Sequence, residues 1–185
     1  INGFEMTGTA FTGSALDCFT PFSIFTGFGL LFAYASLGSN WLVMKTTDGL
    51  QRRMRTLSQW NAIALFGVVL LVSVWTPMIH QQIAARWFTW PNMLYFAPVP
   101  ILVVVFTWLQ LRLLQNPNAH AAPFIISLLL IFLGYTGLAI SLWPNVIPPS
   151  VSIWSAAAPE ESMGFTLVGT LLIIPVILGY TSWSY

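Results

Sequence analysis

Few residues of this chain can do chemistry. Its 185 residues include six Lys and Arg, five Asp and Glu, two His and one Cys. His80 and His120 are the candidates for ligating a haem iron or a metal. Both fall at the ends of apolar stretches or between them, whereas a haem ligand in a helical bundle projects from a helix wall into the core. They read as interfacial histidines. No cluster has metal-ligand spacing. No serine, histidine and carboxylate stand together in sequence, which leaves triads assembled in space open. Neither a Walker A nor a dinucleotide-binding glycine pattern is present. Cys18, the single cysteine, has no intrachain disulfide partner and reads as a free thiol. The carboxylates Glu5, Asp17, Glu160 and Glu161 lie in connectors. Glu160 and Glu161, with Ser162, just precede an apolar stretch and are placed to cap a helix there. A proton-exit or subunit-contact role is the other reading of these acids.

The elements that must position these groups are set by composition. The chain is 57% hydrophobic and only 6% charged, where a soluble domain carries about 25% charge. Eleven charged side chains, six basic and five acidic, cannot cover a soluble surface of this size. The solvent for most of the chain is therefore lipid. A net charge of +1, with no basic run interleaved with aromatics, argues against nucleic acid as a partner.

Five stretches are long and apolar enough to cross a bilayer: 21–44, 58–79, 96–115, 122–143 and 163–185. Each makes a helix of roughly 30–36 Å, at about 1.5 Å per residue. Lipid leaves no partner for unpaired backbone groups, and runs such as ISLLLIFLGY lack the alternation of a barrel strand. The expected fold is all-α, a polytopic bundle of five spans (21–185) preceded by an outer-face connector (1–20). The chain starts without a methionine or signal-peptide pattern and ends inside or just at the end of an apolar run. It reads as part of a longer membrane protein.

Orientation follows from the basic residues. Lys45, Arg52, Arg53 and Arg55 lie in KTTDGLQRRMRTL after the first span, and Arg112 closes the third. The other side receives only Arg86. That asymmetry puts the RRMR connector and the C-terminus inside, and the N-terminal piece and the PNVIPPS connector outside. Of the nine tryptophans, Trp41, Trp60, Trp75, Trp108, Trp143 and Trp183 fall near span ends and Trp87, Trp90 and Trp154 in connectors, the pattern of an interfacial belt. ARWFTWPNMLYF (85–96) reads as an amphipathic segment lying along the outer interface. Pro175 is expected to kink the fifth span. Small residues four apart, Gly29 with Ala33 and Gly137 with Ser141, allow helices to approach closely. Asn40, Gln59, Asn61 and Gln110 lie close to span ends. No ionisable group falls at a predicted midplane, which weakens a transporter reading.

GFEMTGTAFTG, SNWLVMKTTDGLQRRMR, PNVIPPSVSIWSAAAP and LIIPVILGYTSWSY, in this order and spacing, resemble subunit II of cytochrome bd-type ubiquinol oxidases, including the cyanide-insensitive ones. The resemblance covers essentially the whole chain and matches the C-terminal half of a protein about twice as long. It implies a complex that oxidises quinol from the quinone pool and reduces dioxygen to water. The b- and d-type haems and the main quinol site are implied to belong to subunit I, so no cofactor is expected in this chain. Subunit II is implied to stabilise the pair in the bacterial inner membrane and to help shape proton or oxygen access. Ser155 departs from the family pattern, which usually has an acid after the tryptophan. The family's basic tail is also absent. Pro148 and Pro149, which favour an extended path, Trp154 as an interfacial anchor, and Glu160 with Glu161 are expected to form an outer cap between the fourth and fifth spans. The alternative reading is a fragment of a multi-pass transporter.

Overall fold

The structure, a computed structural model, describes residues 6–7, 10–11, 19–147 and 151–184. Glu5, Asp17, Cys18, Pro148 and Pro149 lie outside the described residues. The chain divides into two units, residues 1–143 and 144–185.

The first unit opens with a short antiparallel pair, β1 (Met6–Thr7) and β2 (Ala10–Phe11). Helix α1 (Pro21–Lys45) follows. Its start is fixed locally. Thr20 Oγ1 accepts from the Ser23 amide at 3.1 Å while Ser23 Oγ accepts from the Thr20 amide at 2.9 Å. Pro21 occupies the first helical position, where a missing N–H costs nothing. Two residues later α2 begins and runs from Asp48 to Ile79.

Here the structure corrects the sequence reading. The basic KTTDGLQRRMR stretch, expected as a connector, is mostly the first two turns of α2. Arg55, within it, is buried, and the next buried residue, Ser58, lies one turn further along the same helix. The turn is made at Asp48, whose φ of 57° is left-handed. Aspartate tolerates that region better than most side chains. Gln51 supports the turn: its amide nitrogen lies 2.9 Å from both Val43 O and Thr46 O, carbonyls that the end of α1 leaves unpaired.

The segment 85–96, read as amphipathic, is built from several short elements. It contains the end of α3 (Gln81–Phe88), a turn with a cis Trp90–Pro91 bond, and α4 (Asn92–Phe96). The chain then enters α5 (Pro98–Gln115), a short connector, and α6 (Ala122–Leu142). Helices α1, α2, α5 and α6 form an antiparallel four-helix bundle in which α1 meets α2 and α6, and α5 meets the same two.

The second unit begins with a small hairpin. Strands β3 (Asn145–Ile147) and β4 (Val151–Ser152) pair antiparallel, with Asn145 opposite Ser152 and Ile147 opposite Val151. The extended path expected at Pro148 and Pro149 lies outside the described residues. Helix α7 (Glu160–Ser184) completes the chain, with Pro175 inside it. Five helical segments are long and apolar enough to cross a membrane: Pro21–Lys45, Asp48–Ile79, Asn92–Gln115, Ala122–Leu142 and Glu160–Ser184.

Candidate functional site

The bundle interior carries an unusual share of polar side chains. Ser36, Ser39 and Asn40 on α1, Ser58 and Asn61 on α2, Thr107 and Gln110 on α5 and Ser127 on α6 are all buried. In lipid a buried polar group that lacks a partner is costly, so each should find one. Serines and threonines do so partly within their own helices. Ser39 Oγ donates to Ser36 O at 3.2 Å, Thr107 Oγ1 to Val103 O at 2.8 Å and Ser127 Oγ to Pro123 O at 3.0 Å.

Amides must reach further. Asn40 Nδ2 donates to Ser127 Oγ at 2.6 Å, and Gln110 Nε2 to the same oxygen at 2.9 Å. Ser36 Oγ lies 3.4 and 3.5 Å from the two amide nitrogens. Three helices are thereby tied at one level, around a hydroxyl that gives one hydrogen bond and accepts two. Both amides are fully buried. The sequence reading placed Asn40 and Gln110 near span ends and missed this. Their positions in the chain say nothing of which neighbours they meet.

One end of the bundle is closed by Arg55. It was expected as one of four basic residues marking a face, and Lys45, Arg52 and Arg53 are indeed exposed. Arg55 is buried instead. Its guanidinium reaches the α5–α6 connector, where Nη1 donates to Asn116 O at 2.9 Å and approaches Leu114 O at 3.4 Å. Nη2 donates to Pro117 O at 3.0 Å and Ala119 O at 2.8 Å. These carbonyls lie in the last turn of α5 and in a tight connector, where backbone pairing is limited to bonds such as that from the Ala119 amide to Asn116 O at 3.1 Å. A planar fork with five donors suits them where an ammonium does not. Beside it a shallow cavity of about 430 Å³ is lined by Asp48, Gln51, Arg52, Arg55, Gln115 and Pro117. Two other cations at this end lie over indole rings: Lys45 Nζ is 4.8 Å from the Trp41 ring and the Arg112 guanidinium 5.2 Å from that of Trp108.

The opposite end is closed by α3. Arg86 Nη1 donates to Ile140 O at 3.2 Å and Trp87 Nε1 to Ser141 Oγ at 3.0 Å, both in the last turn of α6. Trp87 also packs against Phe96, with ring centroids 5.6 Å apart. Trp75 stands edge-on to Phe22 at 5.7 Å, so it joins α1 to α2 rather than serving only as an interfacial anchor. Gly29 lets the same two helices approach: a Cβ there would meet Val68 Cγ1 at 2.7 Å. Gly137 is less demanding, with Val99 Cγ1 at 3.9 Å.

The histidines are far apart. His80 caps the C-terminus of α2, and His120 lies in the α5–α6 connector with Nδ1 3.2 Å from Gln51 Nε2, near the start of α2. The 32-residue helix between them is about 48 Å long at 1.5 Å per residue. They do not converge on one ligand, and neither lines the bundle interior. Burial lowers the His80 pKa below its usual 6.5, which favours the neutral ring at pH 7. Among the described residues no three His, Cys, Asp or Glu side chains come together.

In the second unit Ser155 has a structural partner. Ser155 Oγ accepts from the Ser152 amide at 2.9 Å and Ser152 Oγ from the Ser155 amide at 3.1 Å. The reciprocal pair pins the turn after β4. Trp154 is exposed, and Glu160 and Glu161 are exposed in the first turn of α7. They sit inside the helix rather than ahead of it, where negative charge complements the helix dipole.

Five membrane-length helices, three of them tied together by uncharged amides and hydroxyls, define a multi-pass helical membrane protein. The chain belongs to the cytochrome bd terminal oxidase subunit II family, whose model matches residues 1–185. It is also similar to a probable cytochrome oxidase subunit 2 from Haemophilus influenzae, at 27% identity over 98% of this chain and 55% of the relative. The chain thus spans about half the length of that curated relative.

Proposed function

We propose that this chain is the C-terminal helical half of the non-haem subunit of a respiratory quinol oxidase. The complex oxidises quinol from the membrane pool and reduces dioxygen to water. A haem-bearing subunit I carries the b- and d-type haems, and this half supports assembly and helps shape proton or oxygen access. The family match over residues 1–185 carries the reading.

The chemistry of the bundle supports a scaffolding role. Its buried polar groups are serines, a threonine, two asparagines, a glutamine and one arginine committed to backbone carbonyls. Such groups fasten helices together. The two arginines that close the bundle sit at opposite ends, and the end with Arg55 also carries Lys45, Arg52, Arg53 and Arg112. That asymmetry favours the Arg55 end facing the cytoplasm of a bacterial inner membrane. The hairpin and the start of α7 then form a cap on the outer side.

The test is purification of the full-length protein with its partners, followed by reduced-minus-oxidised spectra and quinol-dependent oxygen uptake. Co-purification with a haem-bearing subunit and oxygen uptake driven by quinol are expected. Recovery without a haem-bearing partner overturns the reading.

A further inference from the structure

Three buried polar atoms of the four-helix bundle have no partner among the described residues: Asn40 Oδ1, Gln110 Oε1 and Ser58 Oγ. All three side chains are fully buried, at 0% exposure. Asn40 and Gln110 converge on the same Ser127 hydroxyl, so their amide groups lie side by side. Ser58 is on the same level. Gly29 lies against Val68 and Phe22 against Trp75 across the α1–α2 pair. Carried along the two antiparallel helices by the common rise per residue, that register brings Ser58 opposite Ser39 and Asn40.

The orphaned groups are two carbonyl oxygens, which accept, and one hydroxyl, which donates or accepts. Turning an amide over changes which atom is unpaired but does not remove the deficit, because Ser127 Oγ already gives its proton to Pro123 O. A single ligand with two donors and an acceptor satisfies the set. The site is electrically neutral apart from one cation. Arg55 lies one turn before Ser58 on α2 and is itself buried. A sodium ion or a hydronium would have to sit near that guanidinium with no buried carboxylate among the described residues to offset it.

We infer that the bundle binds one ordered water molecule between Asn40 Oδ1, Gln110 Oε1 and Ser58 Oγ. The water donates to the two amide oxygens and accepts from, or is shared with, the Ser58 hydroxyl. It links α2 to a polar knot that otherwise ties only α1, α5 and α6. Buried waters of this kind make about three hydrogen bonds and are costly to remove. Its three protein partners are neutral, which fits a water held as part of the structure.

The test uses the complete oxidase complex. A map that resolves ordered water is expected to show density within about 2.6–3.2 Å of all three oxygens. Amide oxygens paired with a protein group, or no density between them and Ser58, overturns the inference. Density held by contacts shorter than hydrogen bonds identifies a cation and also overturns it. The second arm is a double-mutant cycle on S58A and Q110M, read as the half-life of the assembled complex at a fixed elevated temperature. Each single substitution is expected to shorten it roughly tenfold. Because one water serves both side chains, the double variant is expected to lose little more than the worse single one. Losses that multiply show that the two side chains share no ligand. If neither variant assembles, the map of the unaltered complex decides.

Discussion

The two ends of the four-helix bundle are closed by the same chemistry applied in different strengths. At one end Arg55, on α2, reaches across to the α5–α6 connector and engages its carbonyls through both guanidinium nitrogens. At the other, Arg86 on α3 reaches a single carbonyl in the last turn of α6, helped by the indole of Trp87. Arg55 is buried, whereas Arg86 and Trp87 are half-buried. The difference follows from what each end must satisfy. The α5–α6 connector is only six residues long, between Gln115 and Ala122, and backbone amides reach only some of its carbonyls, such as Asn116 O and Ala121 O, while Pro117 O and Ala119 O take donors from Arg55. A buried charge is tolerated there because it meets several acceptors at once. At the end of α6 a peripheral helix supplies the donors.

The sharpest way to break this comparison is R55L. It strips the connector of its donors and leaves several carbonyls unpaired. A loss of about 3–5 kcal/mol is expected, with little assembled complex recovered in detergent. R55K keeps the charge but not the fork, and should recover only part of the yield. Normal assembly of R55L would refute the closure role of this end. A smaller effect is expected midway along the α1–α2 pair. There G29A drives a Cβ toward Val68 and should cost about 1–3 kcal/mol in thermal stability, restored when V68A is added. G137A, whose Cβ has ordinary contact with Val99, serves as the near-neutral control in the same melts.

At the weaker end, W87F retains the packing on Phe96 and removes one hydrogen bond. About 0.5–1.5 kcal/mol is expected, measured as a shift in the melting midpoint of the complex. R86Q should have the least effect of the substitutions expected to destabilise, about 0.3–1 kcal/mol, since it removes one partly exposed cation from a helix C-terminus. Should R86Q prove as damaging as R55L, the two ends are equivalent and the contrast fails.

Much of the fold could be read from the chain alone. Five apolar runs separated by short polar stretches become five membrane-length helices, because an unpaired backbone is intolerable in lipid whatever the packing. The start of α1 was likewise local, set by Thr20, Pro21 and Ser23. The start of α2 was harder to see. Charge in the RRMR segment resembles a connector, yet Gln51 and Arg55 face inward and the helix includes them. The pairing of Asn145 with Ser152 was not legible either, since it joins residues whose types carry no strand signal of their own.

The sequence by itself determined the solvent, the number of spans and the scarcity of ionisable groups, since these depend on composition and length. Only the tertiary structure decided which polar side chains are buried together. Helices α1 and α6 are apolar around most of their circumference, so no periodic stripe marks the face that meets a neighbour. Asn40, Ser58, Gln110 and Ser127 come from four helices spread over 88 residues. Their shared level is a product of helix register, and Arg55 finds its carbonyls only once α2 lies against α5. Pairing of that kind is a property of packing, and no single segment of the chain contains it.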